Sequence, residues 1–351
     1  METIHRIKTP KEHILLFSQN GGVLMPEKSK ISSTELGALW MTYQKKTMIL
    51  RILEYFIEKS KNPKAKNLMS GLREKLHPKV VEIKKLLQNE GAAVPNGFTD
   101  QDVNLNAPIL FENGFDIMFC RILKEISMGM YVLHLTMAYR KDIIKLYRDM
   151  TDLTQEYYGK FTQFLLDEGL LPSPTFINFP KSADFVTSNN YLKGTNILGQ
   201  KRPINTVEFG LLYHGIETNI TGMQLMAGFA QCAEGEEVRK YFLKGKELSK
   251  EIIKEFGEKL LQNDIQPPAT SGGTVTNSTE APFSDKLMIF CTYLLCGFSI
   301  GGQGFGIGFS LRNDLNMNFG KFGIEVFEYI REGVKIMISN GWLEEAPRMD
   351  V

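Results

Sequence analysis

Thr34-Glu35-Leu36-Gly37-Ala38-Leu39 returns further along the chain as Val207-Glu208-Phe209-Gly210-Leu211-Leu212, and this recurrence decides how the rest is read. A repeat at a fixed offset means one structural unit built twice, so each stretch is read in two versions that must agree. Other passages follow at an offset of roughly 172 to 174 residues. Leu86-Leu87-Gln88-Asn89-Glu90 is answered by Leu260-Leu261-Gln262-Asn263-Asp264, and Asn106-Ala107-Pro108 by Glu280-Ala281-Pro282. Arg140-Lys141-Asp142-Ile143 corresponds to Arg312-Asn313-Asp314-Leu315, and Glu156-Tyr157 to Glu328-Tyr329. Gly169-Leu170-Leu171 and Gly341-Trp342-Leu343 close the two units.

Within each unit the apolar residues keep helical spacing. Leu36, Leu39, Trp40, Tyr43, Leu50 and Ile57 fall on one stripe of a 3.6-residue period, as do Phe209, Leu212, Ile216, Ile220 and Met223. Leu153, Tyr157, Phe161, Phe164 and Leu165 form another stripe, stopped by Gly169 and the prolines beyond it. Strand-like alternation is not evident in either unit. The stretch from Pro95 to Pro108, and its counterpart from Pro267 to Pro282, is too long for a tight turn. A long central crossover in a four-helix bundle would use such a segment. The predicted fold is therefore all-α, two tandem ferritin-like four-helix bundles. Its divisions are an N-terminal extension (1–32), a first bundle (33–171), a linker (172–205) and a second bundle (206–351). The linker holds Phe176, Phe179, Phe185 and Tyr191, an aromatic content foreign to flexible spacers, so it is expected to pack on the bundles and set their relative orientation.

A chain of 351 residues has room for two ordinary domains. It carries 41 Lys and Arg against 40 Asp and Glu, leaving no net field to draw it to a polyanion. The lysines between Lys59 and Lys85 are interrupted by Glu58, Glu74 and Glu82 at helical spacings and have no aromatic platform, so nucleic acid is not an expected partner. The N-terminal segment lacks the apolar run of a secretory signal. Cys120, Cys232, Cys291 and Cys296 lie in apolar helical segments without zinc or redox spacing, which suits reduced core thiols. A cytoplasmic location follows as an expectation.

Thr34-Glu-Leu-Gly-Ala-Leu-Trp40, Asp102-Val-Asn-Leu-Asn-Ala-Pro108, Glu280-Ala-Pro-Phe-Ser-Asp-Lys-Leu-Met288 and Asn340-Gly-Trp-Leu-Glu-Glu-Ala-Pro347 occur in that order. In this the chain resembles a tandem-bundle family of unknown function from endospore-forming Gram-positive bacteria, itself distantly similar to spore coat protein F. The resemblance runs from about Ser33 onward. It implies a duplicated ferritin-like fold and a link to sporulation, and it carries over no catalytic residue.

A ferritin-like bundle invites a search for a di-metal carboxylate centre, which takes a Glu from each of two helices and a Glu-x-x-His pair from each of the others. Glu74-Lys-Leu-His77 has the spacing, but Pro78 follows and the second unit offers no histidine there. Glu35 with Glu208 and Glu156 with Glu328 are the matched carboxylates, too few for such a site. Glu35 and Glu208 also stand in the first turn of a helix, where the dipole favours a negative charge. His134 and His214 do not recur, although His214 and Glu217 share a helix face and could hold one ion with help from elsewhere. Glu35, Glu156, His134, Glu208, His214, Glu217 and Glu328 are thus the candidate metal ligands, and neither a metal nor a cofactor is expected.

Residues 287–309 run without a formal charge and are long enough to cross a bilayer, but their counterpart carries Asp116, Arg121, Lys124 and Glu125. A helix buried on all sides is the expected outcome, with membrane contact disfavoured. Its spaced glycines, such as Gly297 with Gly301 and Gly302 with Gly306, predict close packing or a ligand contact. Gly302-Gln-Gly-Phe-Gly-Ile307 lacks the context of a dinucleotide loop, and there is no phosphate loop or nucleophile elbow. The functional expectation is a non-catalytic structural or interaction protein associated with sporulation, with protein partners. The alternative is a ferritin-like metal-handling or apolar-ligand-binding protein with a degenerate site.

Overall fold

The computed structural model describes residues 30–193, 202–269 and 273–349. The first repeat comprises α1 (Ser33–Lys59), α2 (Pro63–Asn89), α3 (Phe115–Thr136) and α4 (Lys141–Asp167). The second comprises α5 (Thr206–Cys232), α6 (Glu236–Leu261), α7 (Asp285–Phe309) and α8 (Asn313–Ser339). In the first repeat α1 packs on α2 and α3, and α4 on α3 and α2; α5 to α8 repeat the pattern. A long crossover between the second and third helices produces this ring order, whereas short connections throughout would put each helix beside its sequence neighbours.

Local chemistry explains where the helices begin. Ser32 and Asn205 cap α1 and α5, and Glu35 and Glu208 complete a capping box with them. Pro63 occupies the first turn of α2 behind the Asn62 cap, where its missing N–H has no bond to lose. Pro78, by contrast, lies within α2, which continues through it.

The two repeats share one core. The crossovers meet in a short antiparallel ladder, β1 (Phe111–Glu112) with β2 (Thr274–Val275), too brief to leave an alternating pattern in the sequence. Nearby, Ser284 donates through Oγ to Asp102 at 2.7 Å, and Asn104 N–H donates to the Pro282 carbonyl at 2.8 Å. Phe111 stacks on Phe115 at 4.1 Å and meets Phe229 of the second repeat, while Tyr55 and Phe98 of the first repeat meet Phe283 and Phe290. Beyond α8, Glu344 accepts the backbone N–H groups of Asn96 and Gly97 at 2.7 and 2.8 Å, so the tail of one repeat clamps the crossover of the other. The main apolar cluster accordingly runs from Leu39 in α1 to Met337 in α8, and a smaller one around Phe256 and Phe322 fills the far end of the second repeat.

Two expectations are corrected. The linker does not pack on the bundles through its phenylalanines: Phe176, Phe179 and Phe185 are 89%, 89% and 94% exposed. The crossovers join the two repeats without the linker. Tyr191 packs within the linker itself, 3.9 Å from the guanidinium of Arg202, and residues 194–201 fall outside the described set. Nor is α7 buried on all sides. Leu287 to Thr292 are buried, but Phe305, Ile307 and Phe309 are exposed. Gly297, Gly301, Gly302, Gly304 and Gly308 face open space, so no neighbouring helix uses them for close approach; Gly306 alone of this stretch packs, against Phe319. The helix keeps the length and apolarity to cross a membrane, with a mean hydropathy of 1.4 in its best window.

Candidate functional site

The structure separates the candidate metal ligands and gives most of them structural partners. Glu35 Oε1 accepts the N–H groups of Tyr139 and Arg140 at 2.8 and 2.7 Å. Glu208 Oε1 accepts those of Leu311 and Arg312 at 3.0 and 3.1 Å, and the carboxylate also pairs with Arg202. Each thus ties the start of the first helix in its repeat to the start of the fourth. Burial by itself would raise both carboxyls, but the converging donors outweigh it and hold them below the ordinary carboxylate range.

Glu156 lies on the surface between Lys75 and Lys160, and Glu328 is exposed on α8. Glu74 and His77 also face solvent, so their spacing brings nothing inward. His134 is buried, 3.1 Å from Thr42 Oγ1, and burial assisted by Lys45 lowers its pKa to about 4. His214 and Glu217 do not converge on an ion site. His214 pairs with Glu125 at 2.8 Å and Glu217 with Arg121 at 2.9 Å, two ion pairs that join α5 to α3 across the repeats. Among the described residues, no group of three or more His, Cys, Asp or Glu side chains could hold a metal ion.

Sequence reasoning misses a buried basic cluster in the first repeat. Lys45, Lys46 and Lys124 are at most 1% exposed. Lys45 and Lys46 place their ammonium nitrogens 4.6 Å from the centre of the Tyr131 ring, a cation–π arrangement. Lys46 also donates to Ser127 Oγ at 3.3 Å. Among the described residues none of the three pairs with a carboxylate. Loss of hydration, reinforced by the positive charge of Lys124, drives the pKa values of Lys45 and Lys46 well down; burial pushes that of Lys124 down to about 8. The helical spacing of charged residues conceals this cluster, because α1 is enclosed on nearly every side.

The second repeat treats the same level of its bundle differently. With His134 and Tyr147 matched to Gly306 and Phe319, which also touch each other, Lys124 corresponds to Cys296 and Met130 to Gly302. With Glu35 matched to Glu208, Ile49 corresponds to Gly222, Lys45 to Thr218 and Lys46 to Asn219. Five large side chains are thus replaced by small ones, and all five replacements line a cavity of about 260 Å³. Its walls come from α3 of the first repeat and from α5, α6, α7 and α8, with Ile122, Leu225, Phe256 and Leu295 supplying apolar surface and Glu125 and His214 a polar edge. Space of this size exceeds the roughly 150 Å³ of an engineered apolar cavity that admits benzene. A wider hollow of about 560 Å³ where α1 meets α2 mixes Phe56, Ile109 and Phe164 with Lys59, Lys61, Glu112 and Asp116, a more polar lining than that of the first cavity.

The fold and cavity define a class: an all-α protein of two fused four-helix repeats with a partly open, mostly apolar cavity between α3 of the first repeat and the helices of the second. The chain belongs to the DUF3231 family of proteins of unknown function, which matches it twice, over residues 19–182 and 192–351. The match reaches further towards the N-terminus than the motifs do. No curated protein matches the chain. Among solved structures it is similar to a candidate spore coat protein from Bacillus halodurans, at 16% identity over 43% of this chain and 98% of that one, with a TM-score of 0.40.

Proposed function

We propose that the protein is a non-catalytic binding protein that holds one small apolar molecule in its second repeat. The observation that carries this reading is the cavity of about 260 Å³, opened where Gly222, Gly302, Thr218, Asn219 and Cys296 stand in place of larger side chains. Burial of apolar surface supplies the affinity, at about 25 cal/mol per Å² removed from water. Metal handling loses support from the structural use of Glu35 and Glu208 and from the pairing of His214 and Glu217 with residues of α3.

The test uses N-phenyl-1-naphthylamine, a neutral fluorophore that brightens in apolar surroundings. The wild-type protein should bind it saturably at one site per chain. The double variant Gly222→Ile, Gly302→Met restores the residues of the first repeat at positions with room for a side chain, and should abolish binding without unfolding the protein. Equal binding by the variant, or none by the wild type, sinks the reading.

A second reading, a structural or interaction protein of the sporulating cell located in the cytoplasm or spore, draws on the exposed Phe176, Phe179 and Phe185. Recovery of the protein from spore coat extracts supports it. Recovery from vegetative cells alone counts against it.

A further inference from the structure

The cavity wall is not uniformly apolar, and the two lining side-chain atoms that are buried without a hydrogen-bond partner are both acceptors. Gln303 is 5% exposed, and its Oε1 is buried without a hydrogen-bond partner. Glu125 gives one carboxylate oxygen to His214 Nε2 at 2.8 Å, and its other oxygen, Oε2, is also buried and unpartnered. Both side chains line the cavity, Glu125 from α3 and Gln303 from α7. A buried acceptor left unsatisfied carries an unrecovered desolvation cost, and such atoms in a native fold call for a donor.

We infer that the occupant of the chamber is an apolar molecule bearing a hydrogen-bond donor, an alcohol or a protonated amine, whose head is received by Gln303 Oε1 or Glu125 Oε2. The inference rests on the cavity reading above and adds the chemistry of the head group. A carboxylate is the wrong head for these two oxygens: it offers them further acceptors and no donor, beside the carboxyl group of Glu125. An ether or alkane of the same size satisfies neither oxygen.

The discriminating experiment measures binding of 1-octanol, octylamine, heptyl methyl ether and octanoate by calorimetry, with the full-length wild-type chain and two variants. Gln303→Met keeps the volume and removes one acceptor. Glu125→Gln keeps the shape; because His214 donates to one oxygen, the new amide turns its NH₂ group toward the position of Oε2 and converts an acceptor into a donor. The alcohol and amine should bind wild type at least about tenfold more tightly than the ether, a typical margin for a hydrogen bond that would otherwise be lost at a buried group. That margin should shrink severalfold in at least one variant while ether affinity stays within about twofold, since burial of the apolar chain is unchanged. Ether binding as tight as alcohol binding, octanoate binding best, or a donor preference intact in both variants overturns the head-group inference and leaves the apolar cavity standing. Failure of all four probes to bind removes the cavity reading together with it.

Discussion

Replacing Lys124 with methionine should stabilise the protein. The ammonium is buried in the first repeat, and loss of hydration lowers its pKa from the ordinary 10.5 to about 8. At 1.36 kcal/mol per pH unit, that difference costs the folded state roughly 3 kcal/mol while the group is charged in both states. The penalty is complete below about pH 8. Between there and 10.5 the unfolded chain holds the proton more firmly than the folded one, so stability contributed through this group rises with pH, and above 10.5 the penalty is gone. Methionine matches the length and flexibility of the lysine stem and carries no charge. Urea unfolding should therefore show Lys124→Met more stable than wild type by roughly 3 kcal/mol at pH 7, with the gain nearly absent at pH 10.5. Comparing the two proteins at each pH cancels the titration of distant groups. A variant that is less stable at pH 7, or a gain independent of pH, would refute the argument that an unrelieved charge sits in this core.

Glu208→Gln should cost about 2 to 4 kcal/mol in the same assay, because Arg202 and two backbone N–H groups at the start of α8 lose their anion. The wild-type carboxyl has a lowered folded pKa, so its stabilisation is present above the ordinary value of 4.5 and disappears as pH falls through the folded value; the glutamine variant should show a flatter acid limb. Gly333→Ala pushes a methyl group into Tyr241, which stacks on Tyr329 at 4.3 Å between α6 and α8, and should lower the thermal midpoint through about 1 to 3 kcal/mol of overpacking; an unchanged midpoint would show that the stack yields freely. Chymotrypsin should cut the native protein first after Phe176 or Phe185, since Pro180 shields the bond after Phe179, and the nicked halves should still elute together in gel filtration because the crossovers interlock. Separation of the halves after a single cut would mean that the linker, and not the crossovers, holds the repeats.

The interlocking of the crossovers also shows why the sequence misleads about the linker. Aromatic residues signal packing only if a complementary surface is free, and composition cannot report that. Stretch 172–190 has the composition of a packed segment and the exposure of a loose one. For α7 the error runs the same way: absence of charge marks Leu287–Phe309 as apolar, but whether neighbours reach its second half depends on how the bundle ends.

Sequence alone determined the duplicated helical architecture, because periodicity, caps and crossover length are local properties, and two copies that agree turn a weak pattern into a firm one. It also placed Glu35 and Glu208 at helix starts, since the first turn of a helix is a local feature; the structure adds that each completes a four-residue capping box. The raw signal of the cavity was present too, in the pairs Lys45 and Thr218, Lys124 and Cys296, and Met130 and Gly302. Only the tertiary structure decided what those pairs mean. A shortened side chain opens a chamber when its helix face points into a shared core and does nothing on an outer face, and which face points inward is set by how five helices from two repeats pack together.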